Sequence, residues 1–126
     1  MELAIRIALY KRQLQSNIEP DWTNLNIPIV GAEFRERVQT CCRDQSATLP
    51  ERILRSIVET VVDENTTDVH ALRIGKGGNC PQKMRGNDKA QRRDIDREFH
   101  LHYWERSDGK IELASVVYHN DFEIPE

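Results

Sequence analysis

The chain has 126 residues, of which 38% are hydrophobic and 31% charged, with a formal net charge of −3. That length supports one domain around one core. The composition excludes a disordered or membrane-embedded protein, since no apolar run approaches the roughly 18 residues of a membrane span. The negative balance also argues against a protein that coats nucleic acid.

Met1 to about Ser16 reads as a helix, with Ile5, Ala8, Leu9 and Leu14 near helical spacing and Lys11 and Arg12 placed well against the macrodipole. This segment is interrupted by Glu2 and Arg6 and lacks the features of a secretory signal, so a cytoplasmic location is expected. Asn17 to Gly31 holds Pro20, Pro28 and three asparagines and reads as a loop, pinned to the core by Trp22, Leu25 and Ile27. A second helix is expected over Ala32 to Asp44, burying Phe34, Val38 and Cys41/Cys42. A third starts at Leu49-Pro50, carries the apolar stripe Ile53, Ile57, Val61, and stops at residues 63–67. Val69 to Ile74 reads as a strand ended by Gly75-Lys76-Gly77-Gly78-Asn79. Those glycines read as a turn, because the Gly-Lys-Ser/Thr ending of a phosphate-binding loop is missing. Cys80 to Asp94 reads as a long polar loop with a helical turn near Asp88–Arg93.

Cys41, Cys42 and Cys80 make a poor disulfide framework, lack C-x-x-C spacing, and are expected as free thiols. Charge is unevenly spread. Residues 72–97 carry Arg73, Lys76, Lys83, Arg85, Lys89, Arg92, Arg93 and Arg97 against Asp88, Asp94 and Asp96, while both flanks are acidic. One basic segment in an acidic chain suggests a local anion site, or a solvated loop.

The C-terminal region is the most legible. Phe99 to Glu105 alternates, Ile111 to His119 is β-rich, and Asp108-Gly109 between them is a strong hairpin signal. A two-residue loop there pairs residues whose numbers sum to about 217. One face then carries Phe99, Leu101 and Tyr103 opposite Tyr118, Val116 and Ala114, as a core face. The other carries Glu98, His100, His102 and Trp104 opposite His119, Val117, Ser115 and Leu113. The fold class is α+β: N-terminal helices on a small antiparallel sheet ending in the 99–119 hairpin. It is read as one domain, helical over residues 1–66 and sheet-forming over residues 67–126.

Imidazoles and a carboxylate on one face supply acid and base groups, and a basic loop supplies cations for a phosphorane. His100 or His102 pairs with Glu98 or His119 for proton transfer. Lys76, Lys83, Arg85, Lys89, Arg92 and Arg93 are the candidate phosphate-binding residues, and Trp104 is a surface for an unpaired base. His100-x-His102 with His119 is also a zinc-type pattern. A nucleophilic Cys80 lacks a positioned base.

Arg97-Glu-Phe-His-Leu-His-Tyr-Trp104, a turn, then Lys110-Ile-Glu-Leu-Ala-Ser-Val-Val-Tyr-His119 resembles the closing strands of RelE- and YhaV-like ribonuclease toxins, over about residues 73–119. The resemblance implies metal-independent cleavage of mRNA or tRNA with no cofactor, implicating Arg93, Arg97, His100, His102, Tyr103 and His119, with Tyr103 on the core face. It also implies a cognate antitoxin or immunity protein as partner, and delivery to a target cell's cytoplasm if the chain belongs to a larger toxin. The acidic net charge departs from that family. A non-enzymatic binding module, of the immunity-protein or phage-inhibitor kind, is the alternative, and a zinc-dependent enzyme a further one.

Overall fold

The computed structural model describes residues 1–43 and 47–126. Helices α1 (Glu2–Gln15), α2 (Phe34–Cys42) and α3 (Leu49–Val62) form most of the N-terminal half. Strands β1 (Ile29–Val30), β2 (Val69–Ala71), β3 (Met84–Arg85), β4 (Asp88–Asp94), β5 (Phe99–Glu105) and β6 (Ile111–Tyr118) form a six-stranded sheet. Its order is β1-β6-β5-β4-β2, with β3 beside β4. The α+β expectation holds, and the helices lie where their patterns placed them. The expected end of the second helix at Asp44 falls outside the described residues.

The helices cover one face of the sheet. Ile5, Leu9, Phe34, Leu49, Ile53, Ile57 and Val58 pack with Phe99, Leu101, Tyr103, Leu113 and Val116 in one core. Leu14, on the same helical spacing, is exposed. Leu25 and Ile27 pin the first loop as expected, whereas Trp22 is exposed and packs edge-on against Tyr10, 5.7 Å between centroids. The loop also yields an unexpected strand: β1 pairs parallel with β6 through Ile29↔Glu112 and Val30↔Leu113, so the sheet is mixed. Gly31 makes the approach close, since a Cβ there would stand 2.5 Å from the Leu113 carbonyl oxygen.

Within the segment 80–94, residues 84–94 are not a loop and form no helical turn. β3 and β4 form a hairpin whose turn is Gly86-Asn87, with Gly86 at φ +60°, a conformation that favours glycine. β4 then pairs with β5 from Lys89↔Glu105 to Asp94↔His100, and with β2 from Val69↔Arg93 to Ala71↔Gln91. Its sequence, Asp-Lys-Ala-Gln-Arg-Arg-Asp, has one apolar residue, which is why period-2 hydrophobicity did not reveal it.

Arg93 explains how so polar a strand sits inside the sheet. It is only 1% exposed and points toward the helices. Its Nε donates to Thr60 Oγ1 (2.8 Å), Nη2 to the Glu64 carbonyl (2.8 Å), and Nη1 to the Asn65 carbonyl (3.2 Å) and Glu59 Oε2 (3.3 Å). A buried guanidinium with this many acceptors ties β4 to the C-terminal end of α3. The expected catalytic position of Arg93 is thus replaced by a structural one, on the face opposite the histidines.

The hairpin register is as expected from Phe99↔Tyr118 to His102↔Ser115, then slips by one at a β-bulge between His102 and Tyr103, giving Tyr103↔Leu113 and Trp104↔Glu112. The cause is the turn. Arg106 N–H donates to the Lys110 carbonyl (3.0 Å), so three residues, Ser107-Asp108-Gly109, form the loop, with Gly109 at φ +84°. The bulge turns Leu113 to the helix core and Ala114 to the other side, beside Trp104. This reverses the expected faces of those two residues.

Removing one partner of a buried, multiply bonded charge typically costs about 3–5 kcal/mol. Arg93→Ala should therefore lower the stability measured by urea unfolding by about that amount. Arg93→Lys should recover only a fraction of the loss, because one ammonium cannot span acceptors on Thr60, Glu64 and Asn65.

Candidate functional site

The face of the sheet away from the helices is built by alternate residues of four strands. His70 of β2 stands opposite Arg92 of β4, Arg92 opposite His102 of β5, and His102 opposite Ser115 of β6. One step along, Asp94 stands opposite His100, which stands opposite Val117. The sheet thus gathers three imidazoles, a guanidinium, a carboxylate and a hydroxyl.

Asp94 is shared by two of the histidines. His100 Nε2 lies 3.2 Å from Asp94 Oδ1, and His70 Nε2 lies 3.6 Å from Oδ2. His70 is about half exposed, while His100 is buried. Burial lowers the His100 pKa from its ordinary value, opposed by the Asp94 charge and assisted by Arg92, His119 and His70. His100 is accordingly a neutral imidazole at neutral pH.

Beside this group opens a cleft of about 450 Å³, walled by Val69 to Arg73, Gly75 to Gly78, Arg92 and Phe122. Lys76 lies on its glycine loop. Arg73 is held by its Nη1 bond to the Cys80 carbonyl at 2.7 Å. Arg73, Lys76, Arg92 and His70 make its lining basic. The glycine segment read as a turn is therefore also a wall of this cleft.

The rest of the histidine face is covered. Residues 121–126 cross it as an extended tail, with Phe122 and Ile124 packed on Leu72, Ala90, Trp104 and Ala114. Side chains hold the tail by its carbonyls: Lys83 Nζ donates to Phe122 O, His102 Nδ1 to Glu123 O (2.8 Å) and Trp104 Nε1 to Pro125 O (2.9 Å). A carbonyl partner fixes the His102 tautomer with its proton on Nδ1, leaving Nε2 as an acceptor. Burial carries the His102 pKa down to about 4.

The sequence-derived candidates divide accordingly. Arg92, His100 and Lys76 belong to the cleft and its neighbourhood. His102 and Trp104, expected on an open surface, are buried beneath the tail at 0% and 1% exposure. Lys83 holds the tail. Arg85 is bound to Asp88 and Glu112 and lies over the Trp104 ring, 4.7 Å from its centroid. Lys89 and Arg93 occur on the helix-facing side of β4, where both border a separate groove with Thr60 and Tyr103. Tyr103 is in the helix core, as expected. Arg97 and Glu98 are exposed in the β4–β5 turn, and His119 is exposed just beyond β6, its N–H donating to the Glu98 carbonyl at 2.7 Å.

His70, Asp94 and Arg73 were missed. Gly86-Asn87 was the available signal for the β3–β4 hairpin, whereas Asp94 is set beside His100 by the turn over residues 95–98, where Asp96 Oδ1 accepts from the Glu98 and Phe99 N–H groups. Among the described residues no three His, Cys, Asp or Glu side chains converge as a cation site, so the zinc-type pattern of His100, His102 and His119 is not assembled. Cys41, Cys42 and Cys80 are free thiols. No helix is long and apolar enough to cross a membrane among the described residues. Comparison with family models, curated proteins and solved structures found no match.

His102 makes stability depend on pH with a defined sign. As pH falls below 6.5 the unfolded chain takes up this proton, whereas the folded chain resists until about pH 4. The contribution is intact above pH 6.5 and is lost progressively down to pH 4, by about 3 kcal/mol in total. Urea unfolding at pH 7.5 and 4.5 should show a smaller acid loss for His102→Asn than for wild type. Equal losses would contradict a buried neutral His102.

Proposed function

We propose that the protein is a small toxin-type endoribonuclease that cleaves RNA without a metal. What supports this reading is one observation: the Asp94 carboxylate lies between the His70 and His100 imidazoles at the edge of a basic cleft. Transesterification of RNA needs a base, an acid and a cation near one phosphate, and these groups supply all three.

In this reading a phosphodiester lies against Lys76 and Arg92. Asp94, backed by His100, accepts the proton of the 2′-hydroxyl as its oxygen bonds to phosphorus. The bond from phosphorus to the 5′-oxygen breaks, and protonated His70 delivers a proton to the departing oxygen. The products carry a 2′,3′-cyclic phosphate and a 5′-hydroxyl. Arg92 and Lys76 offset the charge that builds on the phosphorane. RNA is the substrate, and a cognate antitoxin or immunity protein acting in the cytoplasm is the partner.

Purified protein should cleave tRNA or mRNA in the presence of a chelator, leaving cyclic phosphate ends. His70→Ala and Asp94→Asn should each slow the reaction by about 10²–10⁴-fold, and Lys11→Ala, on α1, should not. Intact RNA of both kinds after incubation with folded protein would sink the reading.

A second reading, a non-enzymatic binding module, is favoured by a different feature. Leu3, Ile7 and Leu14 on α1, with Ile18 after it, are exposed apolar residues that a partner would cover. Harmless expression with intact cellular RNA would select it.

A further inference from the structure

We propose that residues 121–126 are a displaceable strap occupying the base-binding half of the cleft, so that the substrate is single-stranded RNA whose unpaired base takes the place of Phe122. This deepens the ribonuclease reading and rests on it for the identity of the ligand.

The strap adds no strand to the sheet, and its residues 122–126 have no regular secondary structure. What retains it is a set of side-chain donors, Lys83, His102 and Trp104, aimed at the carbonyls of Phe122, Glu123 and Pro125. Donors aimed at carbonyl oxygens recognise an acceptor and not a particular side chain, and a nucleobase presents the same acceptors on its edge. Phe122 is a flat ring that belongs to two places at once. It walls the basic cleft and packs in the cluster of Leu72, Ala90, Trp104 and Ala114. A base attached to a phosphodiester in the cleft would reach the same spot.

The surface under the strap is built for more than packing. Arg92 Nε, His100 Nδ1, His102 Nε2 and Ser115 Oγ, all on this face of the sheet, are buried without hydrogen-bond partners among the described residues, and of these residues His102 is the one bonded to the strap. His102 and Ser115 are both 0% exposed. A face that served only to seat Phe122 and Ile124 would be more stable with apolar residues at these positions, because an unsatisfied buried polar atom is costly. Their clustering in the row Arg92, His102, Ser115 next to the cleft marks a polar site that the apolar strap covers and does not satisfy.

The test compares wild type, a chain ending at Asn120, and Phe122→Ala, each checked for folding by circular dichroism. Three readouts are used: carbethoxylation of His102, fluorescence of Trp104 in a Trp22→Phe background, and binding of a fluorescent single-stranded hexauridylate and its duplex with hexaadenylate. In wild type His102 should be protected. In the shortened chain it should react at least tenfold faster, and single strands should bind about tenfold tighter with duplex unchanged. Tighter binding without any cleavage would keep the strap and overturn the ribonuclease reading. Unchanged or weaker single-strand binding once His102 is exposed would overturn the strap inference. Loss of folding in both the shortened chain and Phe122→Ala would overturn it as well, by placing the segment in the core.

Discussion

The guanidinium of Arg93 is the interaction on which the sheet depends. β4 carries charged or polar residues at every position but Ala90, and such a strand would ordinarily remain at an edge or in solvent. Arg93 changes the balance by meeting the Thr60 and Glu59 side chains in the last turn of α3 and the carbonyls of Glu64 and Asn65 just beyond it. Asp63 and Asn65 in left-handed conformations shape that end. With β4 held against α3, its alternate residues Arg92 and Asp94 must face the other way. There they meet His70 from β2 and His100 and His102 from β5.

The bulge in the last hairpin has a comparable reach. Continuing the initial register would have sent Leu113 to the tail side and Ala114 to the helices. The three-residue loop ending at Gly109 shifts the upper half by one, so a large residue fills the helix core and a small one lies beside Trp104. Space next to the indole is then available to Phe122 and Ile124. The turn thereby shapes the surface beside it that the tail covers.

Much of this was readable from the chain because it depends on local signals. Helical stripes, Pro50 at the start of α3, and the alternation from Phe99 to Tyr103 each report their own environment. The register of the open half of the hairpin, Phe99 to His102, followed from Asp108-Gly109, and the slip in the half beside the turn did not, because loop length was decided by the Arg106–Lys110 bond. β4 was hidden since its burial is achieved through ion pairs and hydrogen bonds formed across the fold, which leave no apolar period. The tail was hidden for a related reason. Carbonyl groups of Phe122, Glu123 and Pro125 make its polar contacts, and every residue has such a group, so nothing in Asp-Phe-Glu-Ile-Pro-Glu announces a partner.

These hidden elements also explain why three histidines on one face are not equivalent. Sequence alternation could show that His100 and His102 share a side, but accessibility is decided by what lies above them. Asp94 stands next to His100 at the rim, where solvent reaches His70 and the cleft begins. The tail lies over His102, whose ring must stay neutral to remain there. Two residues apart on one strand, the first adjoins Asp94 beside the cleft and the second bonds the tail. The distinction comes from β4 and the tail, and so the chemistry of the face is set by tertiary contacts more than by the strand that carries the histidines.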